Sequence, residues 1–226
     1  YDEGVRRYGF HGLSYEFVLA AFQQRFPASA QGKLVIAHLG NGASMCAISE
    51  GRSVASTMGF SALDGLPMGT RCGQLDPGVL LYLMDQKSMT ASEISDLLYK
   101  HSGLLGLSGL SNDMRTLQAS PDQAAAEAID YFVFRCQREL GAMAAALGGL
   151  DALVFCGGIG ENASAIRARI CSRLAWMGVE IDAAANEHGE SVISSNSSRA
   201  LVLVIPTNEE LVIASAARSL SQGLVS

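Results

Sequence analysis

The 226-residue sequence contains no run of lysine or arginine, and its formal charge is −6. That absence removes the electrostatic footprint that nucleic acid or an anionic membrane surface requires, so an anionic ligand must be held by a few placed residues. No apolar stretch approaches the ~20 residues of a membrane-spanning helix; Ala142 to Leu147 and Ala200 to Ile205 are far shorter. No signal peptide is visible. The five cysteines (Cys46, Cys72, Cys136, Cys156, Cys171) include no C-x-x-C pair, so zinc and redox spacings are missing. An odd number at irregular spacings fits reduced thiols, hence a cytoplasmic protein. Charged residues make up only 17% of the chain and apolar ones 49%, which argues against disorder. The chain opens Tyr1-Asp2-Glu3 without a methionine, and we expect translation to start upstream.

What is present reads as alternating strands and helices. Residues 33–38 form a buried strand, and Gly40-Asn41-Gly42 turns into a second strand, Ala43 to Ser49. Glu50-Gly51-Arg52 leads to a third, Ser53 to Met58. Such short connections make an antiparallel meander. Asp76-Pro77 opens a helix, Thr90-Ala91-Ser92-Glu93 is a capping box for one closed by Gly103, and Ser120-Pro121-Asp122-Gln123 predicts the start of the longest. In that longest helix Ile129, Phe132, Val133, Cys136, Leu140, Met143 and Leu147 line one face, and Gly148-Gly149 ends it. Asp151 to Cys156 reads as a strand, Gly157 to Gly160 as a turn, and Ala163 to Met177 as a helix. A strand, Leu201 to Ile205, precedes a helix capped by Thr207-Asn208-Glu209-Glu210 and running to about Leu220. The sum is an α/β arrangement with a mixed sheet flanked by helices.

Five stretches are candidates for chemistry. In Tyr8-Gly9-Phe10-His11-Gly12 the glycines leave the imidazole open to a ligand, although the segment alone fits a structural histidine better. His38-Leu39-Gly40-Asn41-Gly42-Ala43-Ser44 offers backbone N–H groups for an anion nest, or a plain type I′ hairpin. In Met68-Gly69-Thr70-Arg71-Cys72-Gly73 the arginine has no acidic residue within four positions, Asp76 being the nearest. Its fork suits phosphate or carboxylate, a distant salt bridge being the alternative. Gly157-Gly158-Ile159-Gly160-Glu161-Asn162 stands between strand and helix, where nucleotides commonly approach, and equally fits a tight turn. In Pro206-Thr207-Asn208-Glu209-Glu210 the helix dipole favours the carboxylates whatever their function.

In this order, from Arg6-Arg7-Tyr8-Gly9-Phe10-His11-Gly12 to Pro206-Thr207-Asn208-Glu209-Glu210, the chain resembles the acetate kinase family of acetate, propionate and butyrate kinases. Thr57-Met58-Gly59-Phe60, Ser102 to Gly106 and Ser108 to Arg115 share the resemblance. It implies an actin-like ATPase (ribonuclease H-like) domain and reversible phosphoryl transfer from ATP to acetate, with Mg²⁺ or Mn²⁺. His11 and Arg71 match residues that stabilise the transition state. His38, Leu39, Gly40, Asn41 and Gly42 match a phosphate-contacting hairpin. Asp113, Met114 and Arg115 match a segment beside the nucleoside, Gly158, Ile159, Gly160, Glu161 and Asn162 an adenine-side loop, and Glu209 the metal-binding acid. The partners implied are a small carboxylate, ATP or ADP and a second copy in a homodimer, with neither nucleic acid nor membrane. The resemblance also implies that residues 1–206 are a C-terminal nucleotide-binding domain and residues 207–226 a helix crossing back to an N-terminal domain outside this chain, so that the fragment alone would be inactive. Propionate or butyrate kinase and a non-catalytic nucleotide-binding module are the rival readings. One departure is local: the family commonly continues F-H-G with Thr-Ser-His, whereas here Leu13-Ser14-Tyr15 follows and the second histidine is missing.

Overall fold

Short, nearly continuous apolar runs form a five-stranded mixed sheet in a computed structural model that describes residues 1–221 and 223. Its strands are β1 (Leu34–Leu39), β2 (Ala43–Ser49), β3 (Arg52–Ser56), β4 (Ala152–Cys156) and β5 (Leu201–Val204), in the order β3-β2-β1-β4-β5. The meander β1-β2-β3 is antiparallel as predicted, and β4 and β5 join parallel on the other side of β1. The helices are α1 (Gly12–Arg25), α2 (Pro77–Asp85), α3 (Ala91–Lys100), α4 (Gly103–Ser108), α5 (Met114–Ala119), α6 (Gln123–Leu147), α7 (Gly157–Asn162), α8 (Ser164–Cys171), α9 (Ala183–His188) and α10 (Glu209–Ser221).

Side chains of a strand point alternately to its two faces, and β1 uses both. Val35, Ala37 and Leu39 pack into the core with the α6 stripe from Ile129 to Leu147. Leu34 and Ile36 face the opposite way, against Val18 and Phe22 of α1. Each fully buried Val, Leu, Ile or Phe among these contributes about 1.5–3 kcal/mol. His38 shares the parity of Leu34 and Ile36 and so comes up on the α1 side, at the carboxyl end of β1. Both faces being covered, β1 and β4 are apolar almost throughout.

Several local readings change. α1 was not anticipated: its inward positions include Ser14 and Tyr15, which break an apolar stripe. Neither Gly40, Asn41 nor Gly42 has a positive φ, so this connection is not the type I′ turn its Asn-Gly pair suggests. The longest helix is capped two residues later than expected, Asp122 accepting from Ala124 N, while Ser120 Oγ accepts from Asp122 N. Gly157 to Asn162 is a short helix rather than a turn, and the predicted Ala163–Met177 helix stops at Cys171 before a 3₁₀ turn. At the last helix the cap is Asn208, whose Oδ1 accepts from Leu211 N, 2.9 Å, because the Thr207 hydroxyl is engaged by Ser14. α10 lies against α1 and has no buried residue. Of the terminal segment 207–226, residues 222 and 224–226 lie outside the described residues.

Candidate functional site

The connection between β1 and β2 is the centre of the site because three other segments close on it. Gly69 N donates to Asn41 O at 3.0 Å, and Asn112 Nδ2 donates to Asn41 Oδ1 at 3.2 Å. The loop behind Gly69 is pinned to the start of α4: Leu104 N donates to Met68 O, Leu105 N to Gly69 O and Ser102 N to Thr70 O, at 2.8–2.9 Å. This fixes the backbone that carries Arg71. The Arg71 guanidinium is half-buried and spends Nη1 on Ala62 O, 3.0 Å, forming no ion pair among the described residues. Burial lowers its pKa. A Cβ placed on Gly42 would stand 2.7 Å from Arg71 Nη2 and 3.0 Å from His11 Nε2. Glycine leaves the space here in which cation and imidazole converge on a bare backbone.

His11 sits at φ 60°, ψ 28°, the left-handed residue at the head of α1, and makes no side-chain cap. A non-glycine residue in that region persists only where its surroundings hold it. Two contacts do so: Nδ1 bonds to Ser44 Oγ at 2.8 Å, and the ring stacks on His38 with centroids 4.3 Å apart at 18°. Ser44 pairs with His38 across β1 and β2 and is also bonded by the Tyr15 hydroxyl. His38 Nδ1 meets Ser14 Oγ at 2.8 Å, and Ser14 donates to Thr207 Oγ1 at 2.8 Å. Burial is the main reason His11 falls from 6.5 to about 4, followed by the neighbouring His38 and Arg71, with Glu209 acting the other way. Burial likewise brings His38 to about 4. Both rings are neutral at pH 7.

On the other side of the hairpin lies a cavity of about 500 Å³. Gly40 and Asn41 form one wall, Asn112 to Arg115 with Gln118 a second, and Gly158, Ile159, Asn162 and Ala163 a third. Its size lies within the range of small-molecule sites. Asp113 caps α5 and is held near about 2 by hydrogen bonds from Arg115, whose Nη2 lies 2.8 Å from Oδ2. Not every expected residue faces this space. Leu39 is buried in the core, and Gly160 is buried, a Cβ on it pointing toward Phe155 and Ala37. Glu161 points toward the head of α10, its Oε1 accepting from Gly157 N at 2.8 Å and Thr207 N at 3.1 Å. That brace joins the glycine segment to the turn carrying Glu209, which is close enough to His11 to raise its pKa. Ser14, Tyr15, Ser44, Asn112 and Thr207 were missed. The available signal was spacing: Ser14 and Tyr15 follow His11 by three and four positions, one face of a helix.

The acetokinase family model matches residues 1–215. Acetate kinases of Methylocella silvestris and Rickettsia felis are 64% and 52% identical to the chain over 214 residues, covering 95% of it and 53% and 56% of themselves. Among solved structures, Porphyromonas gingivalis acetate kinase superposes with a TM-score of 0.92 at 40% identity, over 97% of this chain and 58% of that one. A propionate kinase from Francisella tularensis gives 0.89 at 41%, over 95% and 56%. The chain therefore spans about half the length of the curated relatives it matches. At these scores its architecture is that of the acetate and propionate kinases, the actin-like α/β fold expected from the motifs.

Proposed function

Since the chain belongs to the acetokinase family, we propose that it forms the nucleotide-binding side of an enzyme transferring a phosphoryl group reversibly between ATP and acetate, giving acetyl phosphate and ADP. The observation that carries this reading is the convergence of Arg71 and His11 on Gly42, next to a cavity of nucleoside size. A carboxylate oxygen bonds to the γ-phosphorus as the bond from that phosphorus to the β,γ-bridging oxygen breaks, its electron pair leaving with ADP. Acetate is already ionised at neutral pH, so no general base is needed. What remains is alignment and neutralisation of charge on the equatorial oxygens. Arg71, with donors to spare, and the Nε2 edge of His11 supply that, while Gly40, Asn41, Asp113, Met114, Arg115, Gly158, Ile159 and Asn162 hold the nucleoside and phosphates. Gly160 and Glu161 support the loop from behind.

Magnesium or manganese fits this donor set in one way. Among the described residues there is no group of three or more His, Cys, Asp or Glu able to hold an ion, but a nucleotide-bound Mg²⁺ takes one or two carboxylates, with phosphates and water completing its shell. Glu209, in the first turn of α10 on the His11 side, would be that carboxylate. An ion held there by Glu209 would supply positive charge against the phosphates of the nucleotide.

The remaining contacts to acetate lie, in this reading, outside these residues, with 1–206 acting as the nucleotide domain and α10 crossing toward its companion. We also place the protein in the cytoplasm as a homodimer. Five free thiols support a reducing compartment, and no helix among the described residues is long and apolar enough to cross a membrane. The exposed apolar residues of α2, Val79, Leu81, Tyr82 and Met84, support self-association. Propionate is the second reading, favoured by the comparable match to a propionate kinase; turnover with acetate, propionate and butyrate separates the two. The main test is Arg71→Ala in the whole protein. Loss of a transition-state contact should lower kcat by about a hundredfold or more, with the nucleotide Kd within about threefold. Retention of half the wild-type kcat would remove Arg71 from the mechanism.

A further inference from the structure

We propose that Tyr15 and Ser44 are positioning residues, a buried hydroxyl relay that fixes His11 as the tautomer carrying its proton on Nε2, the edge facing Gly42 and Arg71. The inference rests on the reading of His11 as a donor to the transferred phosphoryl group. It follows from counting protons. The Tyr15 ring and hydroxyl are buried, and the hydroxyl has one partner among the described residues, Ser44 Oγ. Ser44 is fully buried and has two side-chain partners, the Tyr15 hydroxyl and His11 Nδ1 at 2.8 Å.

Three arrangements are conceivable, and only one satisfies both buried hydroxyl protons. If Ser44 donated to Tyr15, the phenolic proton would lack an acceptor. If both Tyr15 and His11 Nδ1 donated to Ser44, the serine proton would have none. If Tyr15 donates to Ser44 and Ser44 donates to His11 Nδ1, both buried hydroxyl protons find acceptors, and the one proton left over is the imidazole's, at the edge that opens on the site. The imidazole must then hold its proton on Nε2, a donor directed at the place where negative charge would develop. His38 beneath it takes the opposite form by the same count: Ser14 donates to Thr207 Oγ1, so it accepts from His38 Nδ1–H. The stack thus presents one protonated and one bare Nε2.

Tyr15 stands where the resembling family commonly has its second histidine, and the structure gives the residue found here a role through hydrogen bonding alone. The relay is short and rigid, since Tyr15 is one turn into α1, which His11 begins, and Ser44 is anchored in β2 opposite His38.

The test is ¹⁵N NMR of the whole protein with labelled histidine, because the two ring nitrogens of a neutral imidazole resonate far apart. Wild type should show His11 protonated on Nε2. In Tyr15→Phe, which keeps the ring that fills the site, and in Ser44→Ala, a mixture of tautomers should appear. Their kcat should fall about ten- to hundredfold while nucleotide KM stays within about twofold. Thermal melts monitor folding, and the NMR readout applies to either variant that folds. Unmoved His11 resonances in a folded variant overturn the relay, whatever happens to turnover. Tautomer shifts accompanied by full kcat overturn its part in transfer. A whole wild-type protein without kinase activity, but with the tautomer shifts intact, refutes the reading of function and upholds the relay.

Discussion

At Gly42 a hydrogen atom decides the geometry of two candidate site side chains. Gly42→Ala would put a methyl 2.7 Å from Arg71 Nη2 and 3.0 Å from His11 Nε2, forcing both off the backbone on which they converge. Because those are the far ends of side chains near the surface, we expect little loss of stability but a fall in kcat of about a hundredfold, read by steady-state kinetics alongside a urea melt. The stacked histidines make a separate prediction. His11 and His38 titrate near 6.5 when unfolded and at about 4 in the fold, so between these values the unfolded chain binds more protons. Their contribution is complete above pH 6.5 and is lost as the pH falls toward 4. After discounting for partial solvent exposure we expect on the order of 2–4 kcal/mol for the pair, measured by urea unfolding at pH 6.5 and 4.5, with His38→Asn flattening the slope. Arg71 stood out in the sequence because a cation among glycines has no local partner, whereas His11 was singled out by the family resemblance, its segment alone fitting a structural histidine. Tyr15 and Ser44 were not, since a tyrosine inside a helix and a serine inside a strand look like packing until the fold sets them against each other.

Among the elements, those whose ends are closed by their own residues were the legible ones. The box at Thr90 forms as read, Glu93 Oε2 accepting from Thr90 N at 2.7 Å and Thr90 Oγ1 from Glu93 N at 3.3 Å. Thr90→Ala should cost about 1 kcal/mol in chemical denaturation. α6 was equally clear, its expected stripe being buried from Ile129 to Leu147. α7 was not, because Gly-Gly-Ile-Gly has poor helix propensity and owes its form to distant groups. Arg167 is almost fully buried, donating to the Gly160 and Glu161 carbonyls at 2.8–2.9 Å and to Asn186 Oδ1 and O at 2.8 Å. Asn186 comes from α9, which no local reading of residues 157–162 reveals. Arg167→Met leaves those carbonyls unpaired, so we expect a loss of about 3 kcal/mol and a weaker nucleotide Kd by calorimetry.

For the whole molecule, α2 is a thinly covered element. It has no buried residue, and Leu81 is 62% exposed among Val79, Tyr82 and Met84. If the side carrying Leu81 and Met84 joins two copies, Leu81→Glu with Met84→Glu should turn a dimer into a monomer in light scattering while leaving the melting temperature of the remaining fold within a few degrees. The position of β1 has a consequence in time rather than in space. Its antiparallel neighbour follows after a short connection, but its parallel neighbour pairs His38 with Cys156, 118 residues away in sequence. Closing so long a loop costs entropy before any contact repays it, so the meander and the chain around His38 and Ser44 should order first. β4, and α7 with it, should dock late. A refolding chain would then pass through a stage able to meet phosphate but not to hold a nucleoside, and added nucleotide should leave the early phase of pulsed hydrogen exchange unchanged while protecting only the late one.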